Sequence, residues 1–271
     1  MDLSTRGLTA DDAVRVVVVD AIEVSHETIA IHKLKGGAAT LAAEISVAAL
    51  LMGAHVKGEE RITLQLRTER PESSAFAEVD AVGTIRGRVQ PEEFPEVESH
   101  RGVLLAIKSD AKKELYRGAT ELRSQSFEQA LAEHLHSSQQ VQGAVVIDIQ
   151  SGPKGVTRAA GLLVERLPVD PDRPSMDPHT FAQTYANLTV ADLDDALDGT
   201  LRGHAIRALD RFPLLWSCRC SRDKVLAMLQ SLGETTLREL ADEDHGAQVT
   251  CHFCGDVVDV SEEELRGLLP N

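Results

Sequence analysis

Cysteine is missing from this 271-residue chain until position 218, and aromatic residues make up only 3% of it. The first absence excludes a disulfide framework for most of the length. The second means that a core must be built mainly from Val, Leu, Ile and Ala, which the 42% hydrophobic content allows. Positive charge is also short: 28 Lys and Arg stand against 43 Asp and Glu, a net charge of −15. An acidic surface repels phosphate backbones, so no nucleic-acid partner is expected. The apolar run Val16–Val19 is only four residues long, whereas a bilayer crossing needs ~20. The opening Met-Asp-Leu-Ser-Thr-Arg-Gly carries no basic segment leading into an apolar one. The expectation is a cytoplasmic chain with no membrane partner.

Enzyme signatures are missing as well. The sequence contains no G-x-S-x-G, H-E-x-x-H or Walker A pattern. His26-Glu27 is followed by Ala30 where a second metal-binding histidine would be needed. Gly152-Pro-Lys-Gly155 reads as a hairpin turn rather than a phosphate loop. No enzymatic activity and no catalytic residue are therefore assigned.

What is present up to about residue 170 is a mixture of strand and helix patterns. Val14–Val19 is β-branched and suits a buried strand, and Arg61–Arg67 alternates with period two. Ala75–Val82 and Ile85–Val89 flank Gly83-Thr84 as a strand pair, and Val103–Ile107 and Ala144–Ile149 are further strands. An Ala-rich helix is expected between Gly37 and Gly53, with Leu41, Ile45, Ala48 and Met52 along one face. A second runs over Ser126–Leu135 with Ser126 as N-cap. Without regular βαβ alternation, this predicts an α+β fold with a large N-terminal layered domain over 1–170. Pro168, Pro171, Pro174 and Pro178 mark a boundary. Residues 179–211 look helical but weakly apolar, with Asp192, Asp194, Asp195 and Asp198 crowded together, so 171–213 reads as a helical, metastable linker.

From residue 214 the cysteines define a small terminal domain, 214–271. Cys218-Arg-Cys220 and Cys251-His-Phe-Cys254-Gly255 supply four thiols in two close pairs. In extended chain, residues two apart face the same side. The second pair has zinc-knuckle spacing, with Gly255 free to take a positive φ. Four thiolates make a closed tetrahedral zinc site with no open position for substrate, and one Zn²⁺ per chain is expected. Iron or an iron–sulfur cluster can use the same ligands. His252 is read as facing outward because its adjacency to Cys251 makes joint chelation awkward. Trp216 is read as a packing residue beneath the site. Helices are expected over Ser221–Leu232, over Thr235–Ala241 and from Ser261, with a strand at Val257–Val260.

A closed zinc site is ordinarily structural. In so short a module, however, metal-binding energy is folding energy, and metal-held sulfurs are the thiolates that oxidants attack. A constitutive zinc-ribbon interaction module and a thiol oxidoreductase acting through Cys251 and Cys254 remain open alternatives to a redox switch.

Leu215-Trp-Ser-Cys-Arg-Cys-Ser-Arg-Asp-Lys-Val225, Leu229–Gly233, Val249-Thr-Cys-His-Phe-Cys-Gly255 and Ser261–Leu269 resemble the C-terminal region of the 33 kDa chaperonin family, redox-regulated heat-shock holdases of the heat shock protein 33 type. Met52–Leu66, Ala75–Val89, Tyr116–Gly118 and Ala159–Leu163 extend the likeness over nearly the whole chain. The resemblance implies an ATP-independent chaperone that is folded and inactive when reduced and zinc-bound. On oxidation it implies disulfides Cys218–Cys220 and Cys251–Cys254, zinc loss, unfolding of the terminal module and linker, and homodimer formation. It implies unfolded client proteins as partners, passed on to ATP-dependent foldase chaperones.

Overall fold

The computed structural model describes residues 2–10, 13–168 and 176–269. Pro171 and Pro174, half of the expected boundary signal, lie outside the described residues. The chain divides into two compact units, Met1–Ser217 and Cys218–Asn271.

The first unit opens with β1 (Leu3–Thr9), β2 (Val14–Asp20), α1 (Ile22–Ile31), β3 (Lys35–Gly36) and α2 (Gly37–Met52). An antiparallel run follows: β4 (Arg61–Glu69), β5 (Glu72–Asp80), β6 (Thr84–Gln90), β7 (Glu93–Phe94), β8 (His100–Ser109) and β9 (Glu114–Gln125). Then come α3 (Phe127–Gln139), β10 (Gly143–Gly152) and β11 (Gly155–Arg166). The last part holds α4 (Pro178–Tyr185), α5 (Val190–Leu197), β12 (Thr200–Leu201), β13 (His204–Pro213) and β14 (Leu215–Trp216). Among the described residues twelve of these strands form two six-stranded sheets, ordered β10-β11-β2-β1-β13-β12 and β14-β6-β5-β4-β8-β9, and β3 pairs with β7 in parallel.

Helix α2 lies between the sheets, packing on β2, β10 and β11 from one and on β4, β5 and β6 from the other. Its sequence, Gly-Ala-Ala-Thr-Leu-Ala-Ala-Glu-Ile-Ser-Val-Ala-Ala-Leu-Leu-Met, has one charged residue, so almost every face is buried. An apolar stripe along one face understates this helix. A helix that is apolar all round belongs inside a protein or a bilayer. The helical stretch Gly37–His55 is long and apolar enough to cross a membrane by length and composition, and 83% of it is buried within this fold. Gly161 on β11 lets it approach, since a Cβ there would sit 2.5 Å from Val47 Cγ1.

The Val-rich β2 is buried on both faces. Val17 and Val19 point to the α2 side, whereas Val14, Val16 and Val18 point to the opposite face of the sheet. That outer face continues through Ala144, Val146, Ala160, Leu162 and Val164. It is covered by Phe181, Tyr185, Leu193, Ala196 and Leu201.

The cover departs from expectation in two ways. Residues 204–213 are a strand, antiparallel to β1, not a helix. Arg202 and Gly203, both at positive φ, make the two-residue turn that pairs β12 with β13, and the free edge of β1 overrides local helix propensity. The stretch also buries more than its acidic composition suggests, because Phe181, Tyr185, Leu193, Ala196 and Leu201 fall on the sheet side, while Val190, Leu197 and Leu209 stay exposed. Asp192 and Thr189 close a capping box on α5, and Asp194 pairs with Arg158 of β11. The other expected strands and the α3 helix are present, the latter with a Ser126–Gln129 capping box. Strands β1 and β9 were not anticipated, because neither carries a plain apolar alternation.

Two features of this unit yield predictions. Gly102 on β8 has φ +155, and a Cβ there would lie 1.9 Å from the Arg67 carbonyl oxygen. Gly102→Ala is expected to destabilise the first unit by on the order of 3 kcal/mol, read by urea unfolding. His134 on α3 is fully buried, with Nδ1 3.0 Å from Thr120 Oγ1. Burial first, and nearby His55 second, hold its pKa below the ordinary value of 6.5. The unfolded chain therefore binds the extra proton more readily. Stability is full above about pH 6.5 and falls as the pH drops toward the depressed folded value, by at most ~1.4 kcal/mol per pH unit from this group. His134→Gln is expected to flatten the pH dependence of urea stability between about pH 5 and 7.

Candidate metal centre

The second unit is built from α6 (Arg222–Gln230), α7 (Glu234–Asp242), β15 (Gly246–Thr250), β16 (Val257–Ser261) and α8 (Glu262–Gly267). Among the described residues its buried core is Leu229, Leu237, Ala241, Val260 and Leu265. Below about 70–80 residues a single core rarely supplies more than ~3–5 kcal/mol, and such modules need a further cross-link. The surface adds little. Arg222 joins Glu264 at 2.6 Å across α6 and α8, and both side chains are substantially exposed, a setting in which ion pairs contribute weakly.

Each cysteine is placed by an ordinary local signal. Cys218 and Cys220 lie in the extended chain just before Ser221, whose hydroxyl accepts from the Lys224 amide and starts α6. Cys251 and Cys254 sit on the turn that links β15 to β16. There the Gly255 amide donates to the Cys251 carbonyl at 2.9 Å and the Cys251 amide to the Asp256 carbonyl at 2.8 Å. Gly255 takes φ +74, which a side chain would resist.

The four sulfurs lie within 4.8 Å of one another, and all four residues are half-buried. Cys218 Sγ is 3.6 Å from Cys251 Sγ, and Cys220 Sγ is 3.3 Å from Cys254 Sγ. A tetrahedral ion with metal–sulfur bonds of ~2.3 Å sets its sulfurs ~3.8 Å apart, so the cage has the right size. Its electrostatics point the same way. Burial opposes ionisation of Cys251. The amides of Cys254 and Phe253 and the sulfurs of Cys254 and Cys218 outweigh it, bringing this thiol down to about 7. Cys254 is pushed up, by burial above all. At Cys220 the Cys254 sulfur favours the thiolate, but burial and the Cys218 and Cys251 sulfurs prevail and raise it. Four thiolates this close need a cation between them, and the donor set fits a thiophilic metal ion.

His252 is exposed and outside the sulfur cluster. Trp216, read from sequence as packing beneath the site, belongs to the first unit. Its indole Nε1 donates to Thr28 Oγ1 on α1 at 3.0 Å, and the ring packs against the large core of the first unit. The cause is β14, which adds to β6 in parallel and carries Trp216 into that core. The covering residues of α4 and α5 were not singled out from sequence. The available signal was the spacing of Phe181 and Tyr185 at i, i+4, and of Leu193 and Ala196 at i, i+3.

The proteins that this chain is similar to are named chaperonins. The 33 kDa chaperonin of Syntrophotalea carbinolica is 30% identical over 236 residues, covering 81% of this chain and 82% of its own. That of Bacillus licheniformis is 24% identical over 290 residues and 99% of each chain. The crystal structure of the 33 kDa chaperonin, a heat shock protein 33 homolog, from Thermotoga maritima superposes with a TM-score of 0.76. It is 22% identical and covers 98% of this chain and 97% of that one. The model of the Hsp33 protein family matches residues 2–261, and the chain belongs to that family. Membership supports a chaperone function and the binding of unfolded proteins.

From the geometry, reduced protein mixed with Co²⁺ is expected to show the absorption bands of tetrahedral thiolate coordination. Cys251→Ser should weaken metal affinity by more than the ~10–100-fold typical of losing an outer-shell partner. A competition titration measures the difference.

Proposed function

We propose that this chain is a redox-regulated, ATP-independent holdase, with residues 1–170 as body, 171–213 as a conditional cover and 214–271 as sensor. The observation that carries the reading is the cage of four sulfurs in a unit with so small a core of its own. In the reduced state Cys218, Cys220, Cys251 and Cys254 would hold one Zn²⁺ per chain. Bound, the ion would fix all four sulfurs as thiolates and supply the cross-link that the second unit otherwise lacks.

Peroxide-class oxidants act on the cysteines. Cys218 pairs with Cys220 and Cys251 with Cys254; each disulfide uses two thiols and one peroxide, which leaves as two waters. Sulfurs bonded to one another no longer offer a thiolate cage, and the second unit loses its cross-link. The chain immediately before it runs through β14, β13 and the helices that cover Val14, Val16, Val18, Ala144, Val146, Ala160, Leu162 and Val164. Uncovered, this apolar face of the sheet suits exposed hydrophobic segments of unfolded clients. Oxidised chains associate as homodimers, and clients pass later to ATP-dependent foldase chaperones. The setting is the cytoplasm.

The thiol-oxidoreductase alternative has less support: Cys251 sits on a hairpin turn rather than at a helix N-terminus, where a low-pKa redox thiol is usually found. Peroxide at mildly raised temperature is expected to release zinc, lower helicity and enable suppression of citrate synthase aggregation, all with one time course. Suppression by reduced protein at the same level would point to a constitutive chaperone. Zinc retained through oxidation would point to a purely structural module.

A further inference from the structure

Arg202 makes more contacts than a surface arginine at a hairpin turn needs. It occupies the left-handed turn between β12 and β13 and its guanidinium reaches three separate points of the cover. Nε donates to Asp192 Oδ1 at 2.9 Å, and Nη2 to Asp192 Oδ2 at 3.3 Å, on the first turn of α5. Nη2 also donates to the Asn187 carbonyl at 2.8 Å, in the α4–α5 connection. Nη1 donates to the Thr184 carbonyl in the last turn of α4. The plane lies over the Tyr185 ring, 6.0 Å from its centroid. Asp192 is itself committed at both ends, because Oδ2 also accepts from the Thr189 amide and hydroxyl at 2.8 and 2.9 Å.

We propose that Arg202 is the latch of the cover: one planar cation that ties the end of α4, the connection and the start of α5 to the β12–β13 hairpin and so holds both helices closed on the sheet. Helices of eight residues do not persist alone in water, where about 12–15 are needed. Their order must come from docking. Carbonyls in a last helical turn lack intrahelical donors, and Arg202 supplies one to Thr184. Bonds from a charged fork are about twice as strong as neutral ones, and Asp192 is only 12% exposed, so solvent screens the pair little. A lysine's three donors sit on one nitrogen and cannot span the points that the three guanidinium nitrogens reach here. A second ionic tie of the cover, Arg158 to Asp194, has its carboxylate 55% exposed and is weaker.

The link from cover to activity rests on the reading under Proposed function, so the test separates the two. Full-length reduced protein, with metal content and thiols measured, is compared as wild type, Arg202→Met, Arg202→Lys and Asp192→Asn. Asp192→Asn keeps a capping side chain on α5 while removing the charge that faces Arg202. Hydrogen exchange is followed peptide by peptide, alongside suppression of citrate synthase aggregation without oxidant. Arg202→Met is expected to exchange at least about tenfold faster across 177–201, with β2, β4–β6 and β8–β11 unchanged. The Lys and Asn variants should fall between. Wild-type exchange in Arg202→Met overturns the latch, as does acceleration throughout the first unit, which would make Arg202 a general stability residue. Reduced Arg202→Met that captures client supports both the latch and the role of the cover. Oxidised wild type that captures none overturns the client reading and leaves the latch to be decided by exchange alone.

Discussion

Four sulfurs within 4.8 Å of one another cannot all carry charge unless a cation stands among them. That constraint organises the second unit. Its hairpin turn, the segment that enters it and its capped helix bring the thiols together, and the apolar core beside them is small. Under the proposed reading, metal binding and folding would be one equilibrium there, and oxidation of the thiols would act on both at once. Burial pushes the Cys254 thiol up, whereas at Cys251 backbone amides and neighbouring sulfurs outweigh burial and bring it down to about 7.

The first unit stands on different physics. Its core is a helix buried on every side between two sheets. Its outer sheet face is finished by residues that arrive late in the chain. Membership of the Hsp33 family and the Thermotoga maritima structure agree with this layered α+β build. The apolar cover is modest, two short helices and a hairpin, and its closure draws on a few charged contacts as well as on buried side chains.

The site was readable from sequence because its information is local. Cys218 and Cys220 need only extended chain between them, and Cys251 to Gly255 need only one turn. The strands around Val14–Val19 and Arg61–Arg67 were readable for a similar reason, since period-two burial writes itself into the side chains. Strand β13 was not. His204–Pro213 is exposed along most of its length, so its conformation is set by backbone pairing with β1, some two hundred residues earlier, and leaves little trace in side-chain choice. Trp216 follows the same rule: its neighbours in sequence are the clustered cysteines, while its neighbours in space are Thr28 and the large core. The acidic look of 190–198 concealed that Leu193 and Ala196 share the sheet-facing side.

The long-range pairings β1–β13 and β2–β11 make the body slow to assemble, because distant segments must meet before any contact stabilises them. Helices α4 and α5 of the cover are the opposite kind of object, local elements that can fold and dock quickly once their platform exists. Under the proposed switch, the costly search through chain conformations would be completed once, at synthesis, and each return to the resting state would repeat only the docking of those helices.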